Sequence, residues 1–207
     1  MHMPKYTKDE IKLFKKLSTP VKIQDFLNTV PNNFDQGNDT LRSPREMLRK
    51  NKAHCMEGAL FAAAVFEFHK KPALLLDLKS TQKDLDHVVT LFKQNGYWGA
   101  ISKTNHAVLR YREPVYRTIR ELALSYFHEY FLHDGTKTLL SYSQPFNLKK
   151  FKREDWQTSA EDLWHIAEAL DDSPHIMIVP KQLRKKFRKA DLIEINAGKL
   201  TEWKRKK

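Results

Sequence analysis

Asn51-Lys52-Ala53-His54-Cys55-Met56-Glu57-Gly58-Ala59-Leu60, continuing as Phe61-Ala62-Ala63-Ala64-Val65-Phe66-Glu67-Phe68-His69, is the stretch on which the reading of this chain turns. It contains the single cysteine of the protein, and that cysteine opens the most apolar helical run in the sequence. A thiol at a helix N-terminus meets unpaired backbone N–H groups and the positive end of the dipole, which favour the thiolate. Apolar residues fall on nearly every side of the run behind it, so the helix is expected to be buried all round. Gly58, one turn in, lets another backbone or a substrate approach closely. The competing reading is a small core hydrophobe, because free cysteine is among the most buried residue types.

The segments before Cys55 carry clear start signals. Thr7-Lys8-Asp9-Glu10 reads as a capping box for a helix through about Leu17, with Ile11, Phe14 and Leu17 inward. Thr19-Pro20 starts a second helix through Leu27, and Ser43-Pro44-Arg45-Glu46 a short third one ending near Lys50. Val30 to Thr40 is a polar loop.

Beyond Pro72, Ala73–Leu78 reads as a buried strand. Asp86–Lys93 is a second strand, Gln94-Asn95-Gly96 a hairpin turn and Tyr97–Ser102 the return strand. Pro114–Leu132 reads as one amphipathic helix whose Tyr126, Phe127 and Tyr130 face the core, with Glu121 and Glu129 on its solvated side. A further strand is expected at Thr138–Tyr142, a helix at Ala160–Leu170, a short strand at His175–Val179 and a basic helix or loop at Lys181–Ala190.

Composition bounds the function classes. With 41% hydrophobic residues and 12 Phe, 7 Tyr and 4 Trp, the 207-residue chain is expected to fold around one good core. No apolar run reaches membrane-span length, and Met1–Leu17 is too charged for a secretory signal. One cysteine leaves no internal disulfide, so a reducing, cytoplasmic setting is the default. The net charge is +12, and residues 181–207 hold 11 Lys and Arg against 3 Asp and Glu. That basic end is expected to be mainly a solvated face; nucleic acid or an acidic protein is the partner it would take if it binds one. Residues 1–150 are expected to form the core domain, with 151–207 a basic C-terminal extension packed on it. His106, His128, His133 and His165 show no metal-ligand spacing, and there is no Gly-rich phosphate loop or Gly-x-Ser-x-Gly elbow. No metal or other cofactor is expected.

A thiol nucleophile needs a base, and His87 is the best candidate: on a strand it shares a face with Val89 and Leu91. A Cys opening a buried helix, a His on the following strand and a hairpin returning through Gly96-Tyr97-Trp98-Gly99 resemble the transglutaminase-like branch of the papain-like cysteine-enzyme superfamily. The resemblance covers roughly residues 43–110. It implies an α+β papain-like core, with the Cys-bearing central helix on an antiparallel sheet, and acyl transfer or hydrolysis on a peptide or amide substrate through Cys55 and His87. In that family an Asp or Asn on the next strand orients the imidazole. Here Ser102 stands nearest that position, and Asn105, three residues on, is the expected third member because an amide oxygen can accept the imidazole N–H. An oxyanion hole would use the Cys55 N–H together with Gln24, upstream as in papain-like enzymes, or the Trp98 N–H. His54 either tunes the thiol or is merely solvated; the latter is expected. The alternative function is a non-catalytic module that binds through its basic C-terminal region.

Overall fold

The computed structural model describes residues 4–34 and 40–204. Thr7 caps α1 (Lys8–Lys16) with a full capping box, and Thr19 and Ser43 cap α2 (Pro20–Thr29) and α3 (Pro44–Lys50), each with Pro in the first turn. The polar loop's Asp35, Gly37, Asn38 and Asp39 lie outside the described residues, as do Arg205, Lys206 and Lys207 of the basic end. Cys55 is the first residue of α4 (Cys55–Phe68), in which every residue from Met56 to Val65 is buried.

Seven strands form one antiparallel sheet: β1 (Leu74–Lys79), β2 (His87–Gln94), β3 (Tyr97–Ile101), β4 (Arg112–Tyr116), β5 (Ser141–Ser143), β6 (Phe146–Asn147) and β7 (His175–Met177). Their order is β4-β3-β2-β1-β5-β7, with β6 also paired to β1. The chain is thus mixed α+β. The β2–β3 hairpin turns on Asn95 (φ 50°) and Gly96 (φ 87°), two successive left-handed residues of the kind a two-residue hairpin requires. No described helix is long and apolar enough to cross a membrane.

Strand alternation assigns the two faces. Leu75, Val88, Thr90 and Phe92 look toward α4, and the Thr90 hydroxyl donates to the Ala59 carbonyl at 2.7 Å. Leu76, Leu78, Val89 and Leu91 look the other way, onto Leu122, Tyr126 and Tyr130. On its remaining sides α4 is covered by Phe14, Ile23 and Leu27 from α1 and α2, and by Trp156, Ile166 and Leu170 from the C-terminal quarter. An all-apolar helix survives here because it has no solvent side.

The expected helix over Pro114–Leu132 is replaced by three pieces. Arg112–Tyr116 pairs with β3 as an edge strand, where a proline is tolerated; α5 (Ile119–Leu124) starts at a Thr118–Glu121 capping box; and Phe127–Glu129 is a single 3-10 turn. Glu129 is not a solvated helix charge, since it binds Arg112 at 2.7 Å and the Leu109 N–H at 2.7 Å. The later segments are α6 (Trp164–Asp171), an exposed 3-10 turn at Lys181–Lys186, and α7 (Leu192–Gly198), which starts at an Asp191–Glu194 capping box. Residues 151–204 do not form a separate layer: β7 completes the sheet and Trp156 lies in the core.

Candidate active site

His54, not solvent, stands at the N-terminus of α4. Its Nε2 lies 2.6 Å from the Thr40 carbonyl oxygen, which can only accept, so Nε2 carries a proton. Nδ1 therefore faces the first turn and accepts the Met56 N–H at 3.3 Å, in a ring that adjoins Cys55 in the chain. Glu57 closes the cap from the other side by accepting the His54 N–H at 3.0 Å. That carboxylate is fully buried, and the Thr40 hydroxyl (2.9 Å) and the Arg42 N–H (3.1 Å) also donate to it.

His87 approaches the same thiol from β2. Its Nε2 is 2.8 Å from the Ser102 Oγ, and that hydroxyl donates its one proton to the Leu109 carbonyl at 2.5 Å. Ser102 must then accept from His87, which fixes Nε2–H and leaves Nδ1 as the open position of a ring that lines the same cavity as Cys55. The structure thus brings together Cys55, His87 and Ser102, with Ser102 rather than Asn105 as the imidazole's partner.

The remaining expected residues are placed otherwise. Asn105 spends both ends of its amide on the backbone of Trp203, donating to its carbonyl at 3.0 Å and accepting from its N–H at 2.8 Å. It lines the cavity but does not orient His87. Gln24 is not directed at the thiol: its Nε2 donates to the Ser102 carbonyl (2.8 Å) and to Asn28 (2.9 Å), and its Oε1 accepts the Ser102 N–H (2.9 Å). It is a clamp on the residue that holds His87. Trp98 sits at the far end of β3, between Lys93 and Tyr116, with the Lys93 ammonium over its ring.

These side chains open on a cavity of about 490 Å³ whose walls come from distant segments: Cys55 and His87, the Thr104–His106 loop, Tyr130 and Phe131, and Ile195 and Gly198 of α7. Residues 191–203 form a C-terminal strap, laced to the loop by the Ala107 N–H on the Leu200 carbonyl, the Glu202 N–H on the Asn105 carbonyl and His106 against the Gly198 carbonyl. Lys103 lies buried in the wall, its ammonium on the Val30 carbonyl at 2.6 Å, and burial brings its pKa down to about 8. Its stem crosses α4 at Gly58, where a Cβ would stand 2.4 Å from the Lys103 Cβ. This is the close approach the glycine permits.

The electrostatics favour an anion on sulfur. Burial pushes the Cys55 thiol up, but the bonds and charges of His54 and His87 outweigh it and hold the thiol well below its ordinary value. Burial likewise opposes charge on His54, yet Cys55, Glu57 and Thr40 raise it to about 9. A half-buried thiol in this setting can ionise near neutral pH and attack an electrophile in the cavity.

Elsewhere, Asp77, Asp86 and Asp171 approach one another closely enough to share a cation. Each already has a protein partner: His175 and Lys79 bind Asp77 and Asp171, and Ser80 donates to Asp86. We assign no metal there.

Sequence reasoning weighed His54 but expected it to be solvated, and it missed Glu57 and the strap. The first two were accessible, because His54-x-x-Glu57 has capping-box spacing immediately before the apolar run. The strap's start was equally marked by Asp191-x-x-Glu194. Its destination, 98 residues back at Asn105, has no local signature. No family model matches the chain, and no curated protein matches it in sequence.

Proposed function

We propose that this protein performs cysteine-dependent acyl chemistry on an amide or peptide bond, in the manner of the transglutaminase-like branch of papain-like enzymes. Cys55 attacks the carbonyl, the Cys55 N–H at the start of α4 receives the developing oxyanion, and His87 moves the proton. Ser102 takes the place that an Asp or Asn holds in that family, and Gln24 holds Ser102. The observation that carries the reading is the relay Cys55–His87–Ser102–Leu109, in which hydrogen-bond valence alone fixes the imidazole tautomer a base needs. A neutral acceptor such as Ser102 stabilises an imidazolium less than a carboxylate does, so turnover slower than that of a Cys-His-Asp site is expected.

The test is acylation. Incubated with a p-nitrophenyl acyl ester at pH 7, the protein should gain one acyl mass on Cys55 and release p-nitrophenol in a burst; Cys55→Ala should do neither. Adding water alone or a primary amine as acceptor then separates hydrolysis from transfer. Absence of acylation in the folded wild type would sink the proposal.

The exposed 3-10 turn at Lys181–Lys186, with Arg188 and Lys189 beyond it, supports a second reading as a binding surface for nucleic acid or an acidic protein. Binding of an oligonucleotide that weakens steeply with salt, and is indifferent to Cys55→Ala, would favour it.

A further inference from the structure

Glu57 accepts more hydrogen bonds than a helix cap needs. A capping box asks its acid for one contact, here the His54 N–H at 3.0 Å. Three further donors converge on the same carboxylate: the Thr40 hydroxyl at 2.9 Å and the Arg42 N–H at 3.1 Å on Oε1, and the Asn33 side-chain amide at 3.3 Å on Oε2. The Arg42 guanidinium stands behind them, 3.8 Å from Oε1. Four donors come close to saturating an acceptor-only group, and they reach it from residue 33, from residues 40 and 42 and from the start of α4. Glu57 itself is fully buried and does not line the cavity, so it meets no substrate.

Both sides of this junction bear on the reacting atoms. On one side, the Asn33 N–H donates to the Ala53 carbonyl at 3.0 Å, and its neighbours Asn32 and Phe34 line the cavity with Cys55. On the other side is the first turn of α4. A helix begins with four N–H groups that have no helical partner, here those of His54, Cys55, Met56 and Glu57. The reciprocal cap serves three of them: Glu57 takes the His54 N–H, and the His54 side chain accepts from Met56 and Glu57. Of the four, the Cys55 N–H alone has no acceptor among the described residues. The donor left open is the one that belongs to the nucleophile.

We propose, resting on the acyl-chemistry reading above, that Glu57 is a positioning residue for the reaction: its carboxylate pins the Asn32–Phe34 wall of the cavity and the Cys55 N–H that receives the oxyanion in one frame. Acylation at a carbonyl depends on that frame, because the donor must already point to where the negative charge develops. Alkylation of the same sulfur does not, since displacement of iodide from a saturated carbon forms no oxyanion. A role confined to stability would not separate the two reactions. Glu57→Gln keeps the size of the side chain but places an NH2 where two of the donors now point, so one side of the junction opens.

The experiment compares burst-phase acylation by a saturating p-nitrophenyl acyl ester with iodoacetamide alkylation, each at the plateau of its pH profile. It uses the wild type, Glu57→Gln and Thr40→Val, with circular dichroism to establish folding. Glu57→Gln should slow acylation by about 10- to 100-fold and leave alkylation within about twofold, the pattern of a misplaced oxyanion donor or bound carbonyl. Thr40→Val removes a single donor and leaves the carboxylate in place. It should show the same split at about threefold, and it is the deciding variant if Glu57→Gln does not fold. Acylation and alkylation that fall together in a folded variant, or acylation that is unchanged, overturns the positioning role and leaves the acyl reading intact. A wild type that is not acylated overturns both.

Discussion

Gly58→Ala should damage this protein although it replaces a helical glycine with the best helix former. The added methyl would stand 2.4 Å from the Lys103 Cβ and 2.9 Å from its Cγ. Those atoms are rooted at the Lys103 backbone and cannot swing aside as a side-chain tip could, and Lys103 is only 2% exposed. One partner or the other must move by about 1 Å in a packed wall, and overpacking of this kind costs about 1–3 kcal/mol. Relief of the helix glycine returns about 1 kcal/mol, so the net loss should be about 0–2 kcal/mol, and a 2.4 Å approach places it toward the upper end, about 2 kcal/mol. At about 2–4 °C per kcal/mol for a chain of this size, a loss of about 2 kcal/mol should lower Tm by about 4–8 °C. Because the shift acts on the wall behind Cys55, alkylation should change as well. Thermal and urea melts of Gly58→Ala, Lys103→Gly and the double variant would read this as a double-mutant cycle, with the second change restoring part of the loss caused by the first. A Tm equal to or above that of the wild type, or strictly additive variants, would refute the steric argument.

Other perturbations have equally definite expectations. Ser102→Ala leaves the buried His87 N–H without its acceptor and should cost about 1–3 kcal/mol in urea melts, with slowed acylation; a change under about 0.5 kcal/mol would mean that water replaces the hydroxyl. Trp156→Ala empties a fully buried site and should cost about 3–5 kcal/mol, although it lies past residue 150; an unchanged melt would show that the C-terminal quarter is not part of the core. Asn105→Ala should free the strap, seen as faster hydrogen exchange at Trp203 and Ala107 with the sheet amides unaffected. The thiol and imidazole shifts also set a pH dependence. Cys55, lowered in the fold, adds stability that is full above about 8.5 and is lost as pH falls through its folded pKa. His54, raised to about 9, adds stability that is full below about 6.5 and is lost as pH rises through 9. The stability difference between the wild type and Cys55→Ala should therefore peak between these limits; a monotonic difference from pH 5 to 10 would be the contrary result.

What could be read from the chain was local. The start of α4 at Cys55, its burial all round and the Asn95-Gly96 turn each depend on residues a few positions apart, where period and cap chemistry act directly. The pairing of Cys55 with His87 was reached through chain order. The third member was not. Whether Ser102 or Asn105 meets the imidazole is decided by Gln24, 78 residues upstream, which grips Ser102, and by Trp203, which occupies Asn105. Likewise residues 114–116, read as the start of a helix, are drawn into the sheet by the free edge of β3, a tertiary preference that overrides the local pattern.

The position of the strap has a consequence in time. A ribosome makes the chain from its first residue onward, and domains acquire their structure as they emerge. The thiol-bearing helix is complete early, yet β7 and one wall of the cavity belong to residues beyond 170. During most of synthesis Cys55 therefore has its helix and the prospect of His87, but not the completed cavity wall. The cavity beside the thiol is thus completed only once residues 195–198 are in place, and shortening the chain before them would leave Cys55 on its helix without that wall.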